Sequence, residues 1–145
     1  MNYRLATLDD IALLAAMNQE LIRDEGHRNT MSLSQLQDRM RGWLQDEYRA
    51  VIFEDEGEAA GYALFRHESD WTYLRQFYVL PSKRRRGIGR KAVQWLRENE
   101  WSRSPRVRLE VLIGNSVAIQ FWRSLGFSEY CLTMERDARS ALPPS

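Results

Sequence analysis

What this chain has least of is cysteine. The single Cys131 excludes a disulfide framework and a cysteine-rich zinc cluster. Histidine is almost as scarce: neither His27 nor His67 stands at metal-ligand spacing from another His or Cys, so no metal is expected. Uncharged apolar runs fall far short of the ~20 residues of a membrane helix, and no membrane partner is expected. The N-terminal MNYRLATLDD lacks the apolar stretch of a signal peptide, which makes the cytoplasm the expected compartment. Neither sign of charge dominates, with 21 basic and 20 acidic residues and a net charge of +1. A nucleic-acid binder carries a basic excess on one face, so no nucleic-acid partner is expected. Lysine is nearly absent, the basic residues being 19 Arg and 2 Lys. Arginine offers a planar, bidentate recognition of phosphate that lysine cannot copy, so the local cluster of basic residues matters more than their total.

What is present is globular. Hydrophobic residues make up 43% and charged residues 28% of 145 residues, enough to bury one core without staples. A single domain over 1–135 is expected, with 136–145 as a frayed tail. Residues 3–6 read as a strand. Thr7 or Asp9 caps a helix to about Glu25, stopped by Gly26, and Ser32 or Ser34 caps a second to about Asp46. Residues 48–54, 59–66 and 72–80 read as strands, the first two joined by a tight Asp55-Glu56-Gly57 turn. Gly61 marks a bulge or a close contact. A helix follows from Ile88 to about Trp101, then a β-branched strand over 107–113, a helix over 115–125 and a last strand over 127–134. The order β-α-α-β-β-β-α-β-α-β predicts an α/β (α+β) fold. It has a mixed central sheet, helices on both faces and a parallel pair formed by the strands at 72–80 and 107–113.

The strongest local signal lies between a strand and a helix, in Val79-Leu80-Pro81-Ser82-Lys83-Arg84-Arg85-Arg86-Gly87-Ile88-Gly89-Arg90. Arg84, Gly87 and Gly89 have the spacing R-x-x-G-x-G. Glycines let the backbone turn its amides to one point and let a ligand approach without Cβ interference. The helix that follows directs free N–H groups and its positive dipole end to the same point. This cradle suits a pyrophosphate without a metal, and it is neither a P-loop nor a dinucleotide G-x-G-x-x-G. The second signal runs from Asn115 through Ala118, Phe121, Trp122 and Leu125 to Gly126 and Phe127. Its spacing is also ordinary helix-core spacing, with Asn115 as a cap.

Together the two segments resemble the GNAT superfamily of acetyl-CoA-dependent N-acetyltransferases. Val79, Arg84, Gly87 and Gly89 match its cofactor motif, and Asn115, Ala118, Phe121, Gly126 and Phe127 match its later motif. The resemblance implies a splayed pair of central parallel strands, with acetyl-CoA as co-substrate between them. Backbone groups of Phe77, Tyr78 and Val79 would pair with pantetheine, and amides over Arg84, Arg85, Arg86, Gly87, Ile88 and Gly89 would hold the pyrophosphate. Arg85, Arg86 or Arg90 would meet the 3′-phosphate, and Asn115 would contact the pantetheine arm. The acceptor would be a small-molecule amine or a protein amino group.

An amine must be neutral to attack, yet a free alkylamine has a pKa near 10. Glu110 is the candidate base or water-holder, with a strand salt bridge to Arg108 or Arg75 as the alternative. Period-two alternation puts Tyr73, Arg75 and Phe77 on one strand face, and Tyr73 is the next candidate for proton handling. Arg75 suits a carboxylate-bearing acceptor or pairs with Glu110. Trp122 stands where the family usually has tyrosine. Its indole is no acid at neutral pH, but a thiolate with pKa about 8.5 can leave unaided. His27 falls where the family shapes its acceptor pocket. Cys131 reads as a strand-core residue. A catalytically inactive acetyl-CoA-binding module is the rival reading. The oligomeric state stays open, a homodimer being the commonest assembly.

Overall fold

Helix boundaries follow local side-chain chemistry. The computed structural model describes residues 1–26 and 28–144. Thr7 and Asp10 form a reciprocal capping box around the 3-10 turn Leu8–Asp10, which leads into α1 (Ile11–Glu25). Gly26 ends α1 at φ 64°, a left-handed conformation that costs glycine nothing. Ser32 and Gln35 form a second capping box at the start of α2 (Leu33–Leu44). These bonds satisfy backbone N–H groups that a helix start leaves without acceptors.

The chain forms two compact units, Met1–Leu112 and Ile113–Ser145. The first holds a five-stranded mixed sheet of β1 (Asn2–Leu5), β2 (Arg49–Asp55), β3 (Glu58–His67), β4 (Thr72–Val79) and β5 (Val107–Arg108), in that spatial order. Strands β1 to β4 are antiparallel neighbours, and β5 runs parallel to β4. Glu56 and Gly57, both at positive φ, make the two-residue turn between β2 and β3, whose twist matches that of the strands it joins. One sheet face packs Ala50, Ile52, Tyr62, Leu64 and Tyr78 against Ile11, Leu14, Met17 and Leu21 of α1 and Met40 of α2. The other face meets α3 (Ile88–Asn99), where Trp95 stacks on Tyr3 at 4.6 Å. Helices thus cover both faces, as expected of this fold class.

Two bulges set which side chains face which layer. Between Phe53↔Gly61 and Glu54↔Ala59 the register shifts by one residue. A Cβ on Gly61 would lie 2.0 Å from the backbone oxygen of Tyr78, so the close contact expected at this glycine exists. Between Leu64↔Gln76 and Phe65↔Leu74 the register shifts again, and Arg75 is the extra residue of β4. This breaks the alternation expected for Tyr73, Arg75 and Phe77. Phe77 pairs with Ala63 and its ring lies 5.5 Å from Phe53, on the α3 side. Tyr73 and Arg75 reach the α1–α2 side instead, because a bulge re-aims the residues around it.

The parallel pair is shorter than expected. β5 pairs with β4 only at Thr72↔Val107 and Tyr73↔Arg108, while β4 continues to Val79. The two strands therefore part before the end of β4, and Glu110 lies two residues beyond β5 rather than within a strand. In the second unit, Asn115 caps α4 (Ser116–Ser124) by accepting from the Ala118 amide at 3.1 Å. Trp122 packs edge-on against Phe121 and Phe127 at 4.9 and 5.2 Å. The strand expected over 127–134 is not formed among the described residues. Within the first unit β5 is the last strand of the sheet, paired with β4. Tyr130, Leu132 and Met134 are exposed, and so is Cys131, which is not the core residue its composition suggested. Among the described residues no helix is long and apolar enough to cross a membrane.

Candidate active site

The site begins where β4 ends. After Val79 the chain makes a 3-10 turn over Pro81–Lys83 and then enters α3 through Gly87 at φ 75°. Arg85 also has positive φ, at 63°, so the backbone reverses twice within three residues. No side chain caps α3, and the N–H groups of its first turn have no intrahelical acceptor. A Cβ on Gly87 would meet nothing within 4 Å, so the turn opens onto space. An uncapped helix start beside open backbone fits a phosphate or pyrophosphate.

The basic run around this turn is partly tied down. Lys83, buried, pairs with Asp55 and Glu58 at 3.5 Å each, and Arg86 also reaches Asp55 at 3.5 Å. Arg84 pairs with Asp24 at the end of α1 and donates to the Val79 carbonyl at 2.9 Å. These contacts join the turn to the β2–β3 hairpin and to α1. Among the described residues Arg85 has no ion pair, and its side chain is exposed. Asp24, in the last turn of α1, is the ion-pair partner of Arg84.

A carboxylate and a phenol form the second element. Tyr73 in β4 donates its hydroxyl to Glu110 Oε1 at 2.7 Å, across 37 residues of sequence. Partial burial, then this hydrogen bond, push the Tyr73 hydroxyl up to about 12, so at neutral pH it is a donor and not a base. Glu110 is exposed, within reach of a ligand or of water. It makes no ion pair with Arg75 or Arg108 among the described residues; the Arg108 guanidinium sits 4.5 Å over the Trp71 ring instead. The salt-bridge alternative for Glu110 therefore does not describe this structure.

Next to the dyad lies a cluster that sequence reading saw only in part. Arg75 and Arg66 both donate to the Tyr48 hydroxyl, at 3.3 and 3.1 Å. Arg75 also lies 4.7 Å over the Trp43 ring, and Arg66 lies 5.2 Å over that of Tyr73. Tyr48, Trp43 and Arg66 carried no motif; a tyrosine and a tryptophan bordering the loop between α2 and β2 were the available signal. Among the remaining sequence candidates, Asn115 and Trp122 belong to the second unit. His67 meets the Thr72 hydroxyl at 2.9 Å, a polar contact, and His27 lies outside the described residues. No cluster of metal-ligating side chains occurs among the described residues.

A mixed α/β sheet whose parallel pair parts beside an uncapped helix start has the geometry of a protein that holds a phosphorylated ligand at a strand end. The chain belongs to the GNAT family of acetyltransferases, whose family model matches residues 14–127. It is 30% identical to the peptidyl-lysine N-acetyltransferase YiaC of Escherichia coli (strain K12), over 52% of this chain and 47% of that one. It is 34% identical to an N-alpha-acetyltransferase of Sulfurisphaera tokodaii, over 57% of this chain and 59% of that one. The chain thus spans about half the length of the curated relatives it matches. Among solved structures, a possible acetyltransferase from Clostridium difficile 630 superposes with TM-score 0.80 at 17% identity, covering 97% of this chain and 98% of that one. An aminoglycoside N-acetyltransferase in complex with CoA superposes with TM-score 0.75 at 17% identity, covering 96% and 95%. At such identities the likeness is one of fold.

Proposed function

We propose that this protein transfers an acetyl group from acetyl-CoA to an amine by direct attack. The observation that carries the reading is the open start of α3, uncapped and entered through Gly87 at φ 75°, in a chain of the GNAT family. The amides over Arg84 to Gly89 hold the pyrophosphate of acetyl-CoA, with Arg85, Arg86 or Arg90 toward its 3′-phosphate. Backbone groups of Phe77, Tyr78 and Val79 take the pantetheine arm. Glu110 accepts a proton from the acceptor ammonium, directly or through water. Tyr73, a donor at neutral pH, keeps the carboxylate oriented.

The freed nitrogen lone pair attacks the thioester carbonyl, the C–N bond forms and the C–S bond breaks. CoA leaves as the thiolate and is protonated by water or by the product, since the indole of Trp122 donates a hydrogen bond but no proton. The relatives' acceptors, peptidyl-lysine and α-amino groups, favour a primary amine.

The test is release of free thiol from acetyl-CoA with a panel of amines, beside calorimetric titration with CoA. Turnover of a primary amine is expected. Tight CoA binding with no turnover of any amine would favour the inactive binding module that Trp122 suggests.

A further inference from the structure

Arg75 is an unusual arginine in this molecule. It is the extra residue at the β4 bulge, so its side chain is aimed by a local break in the ladder. It is exposed yet held by two rings, lying 4.7 Å from the Trp43 centroid and 5.9 Å from that of Tyr48. Its hydrogen bond goes to a neutral hydroxyl, that of Tyr48. Among the described residues it pairs with no carboxylate. Arg66, which shares the Tyr48 hydroxyl with it, is paired with Glu68 at 2.6 Å.

A second cation deepens the imbalance. Arg39 of α2 lies 4.5 Å from the same Trp43 ring. One of its terminal nitrogens donates to the Asn18 side-chain oxygen at 3.1 Å, while its Nε is buried without a partner. Burial first, and then the charge of Arg75, hold the Arg39 guanidinium below its ordinary pKa. Two guanidinium groups thus share one indole, with no carboxylate paired to either among the described residues. Arg75 is thus free to engage a ligand anion without first giving up a carboxylate among the described residues.

The position of this pair says what the anion belongs to. Arg75 stands two residues from Tyr73 on β4, and both belong to the network centred on the Tyr48 hydroxyl and Arg66. Tyr73 in turn holds Glu110. Arg75 and Glu110 both act on the Tyr73 hydroxyl, which puts a cation and a carboxylate beside one phenol. The planar guanidinium fork of an arginine fixed on an aromatic ring matches a carboxylate.

We infer that the acetyl acceptor is an amine that carries a carboxylate, which Arg75, stacked on Trp43 beside Arg39, binds as a specificity determinant. This rests on the acetyl-transfer reading for what happens to the amine, but not for the binding of the carboxylate. A polyamine or an aminoglycoside, which brings only positive charge, is rejected by the same two arginines.

The test pairs binding with turnover. Linear amino acids and short peptides with a free carboxylate are compared with their carboxamides, with a phosphate-bearing amine and with a polyamine. Binding is followed by calorimetry and by Trp43 fluorescence, a Trp43→Phe variant giving the background. Carboxylates are expected to bind more tightly than carboxamides by about 10–100-fold, the range of a charge-assisted bond. Arg75→Met should erase that preference, raising KM for carboxylate acceptors with little change in kcat, and Arg75→Lys should restore part of it. Carboxylate-selective, Arg75-dependent binding without turnover would uphold this inference while sinking the transferase reading. Equal binding of carboxylate and carboxamide, tighter binding of the phosphate-bearing amine or the polyamine, or an Arg75→Met defect equal for all acceptors would overturn the inference.

Discussion

Replacing Glu110 by Gln tests the proposed proton path most directly, because the change keeps shape and one acceptor oxygen while removing the charge. The Tyr73 hydroxyl, 2.7 Å from Glu110 Oε1, can still donate to the amide oxygen, so the local structure should hold. What is lost is a proton acceptor, and general-base loss costs about 10²–10⁴-fold. In free energy this is about 2.7–5.4 kcal/mol of transition-state stabilisation. Tyr73→Phe removes only the orienting bond. Such a bond is worth about 1 kcal/mol net, so a fall of roughly fivefold is expected. Because the two groups act through one hydrogen bond, the double variant should be little worse than Glu110→Gln alone. The assay is kcat/KM for the best acceptor across pH, with calorimetric titration of acetyl-CoA as the control. Cofactor affinity should stay nearly unchanged. The Glu110→Gln defect should shrink as pH approaches the acceptor pKa near 10, where the amine is increasingly neutral without help. If Glu110→Gln matches the unaltered protein at every pH, the reasoning is refuted and Glu110 neither takes the proton nor holds the water that does.

Three further outcomes are expected. Gly89→Val places a branched side chain where the pyrophosphate approaches the start of α3; CoA affinity should fall with the fold largely kept, and an unchanged calorimetric isotherm would remove the cradle from this turn. Trp122→Phe should keep measurable turnover, since a thiolate of pKa about 8.5 leaves without an acid; complete loss in a folded variant that still binds CoA would show that the indole N–H is required. Gly61→Ala puts a methyl 2.0 Å from the Tyr78 backbone oxygen, a contact that only strand separation relieves. Overpacking of this kind costs about 1–3 kcal/mol, or roughly 3–10 °C of melting temperature, and a melting curve coincident with that of the unaltered protein would contradict the close β3–β4 approach.

Much of this molecule is written in neighbouring residues. Thr7 with Asp10, Ser32 with Gln35, Gly26 and Asn115 mark helix ends because their side chains, or the lack of one, meet backbone groups within a few positions. The Asp55-Glu56-Gly57 turn and the glycines before α3 are legible for the same reason, and the family resemblance rests on such local patterns. Tertiary structure decided what depends on distant partners. Alternation along β4 assumes constant register, but the bulge opposite Leu64 and Phe65 turns Phe77 to the α3 side and sends Arg75 to Trp43 and Tyr48. The bond from Tyr73 to Glu110 spans 37 residues, and the capture of Arg84 by Asp24 spans 60, distances over which sequence spacing carries no geometry. Residues 127–134 have strand composition, yet no strand is formed there among the described residues. Local chemistry therefore fixed the helices and the glycine turn before α3, while packing between strands and helices selected which arginine stacks on Trp43 and which carboxylate stands beside the Tyr73 hydroxyl.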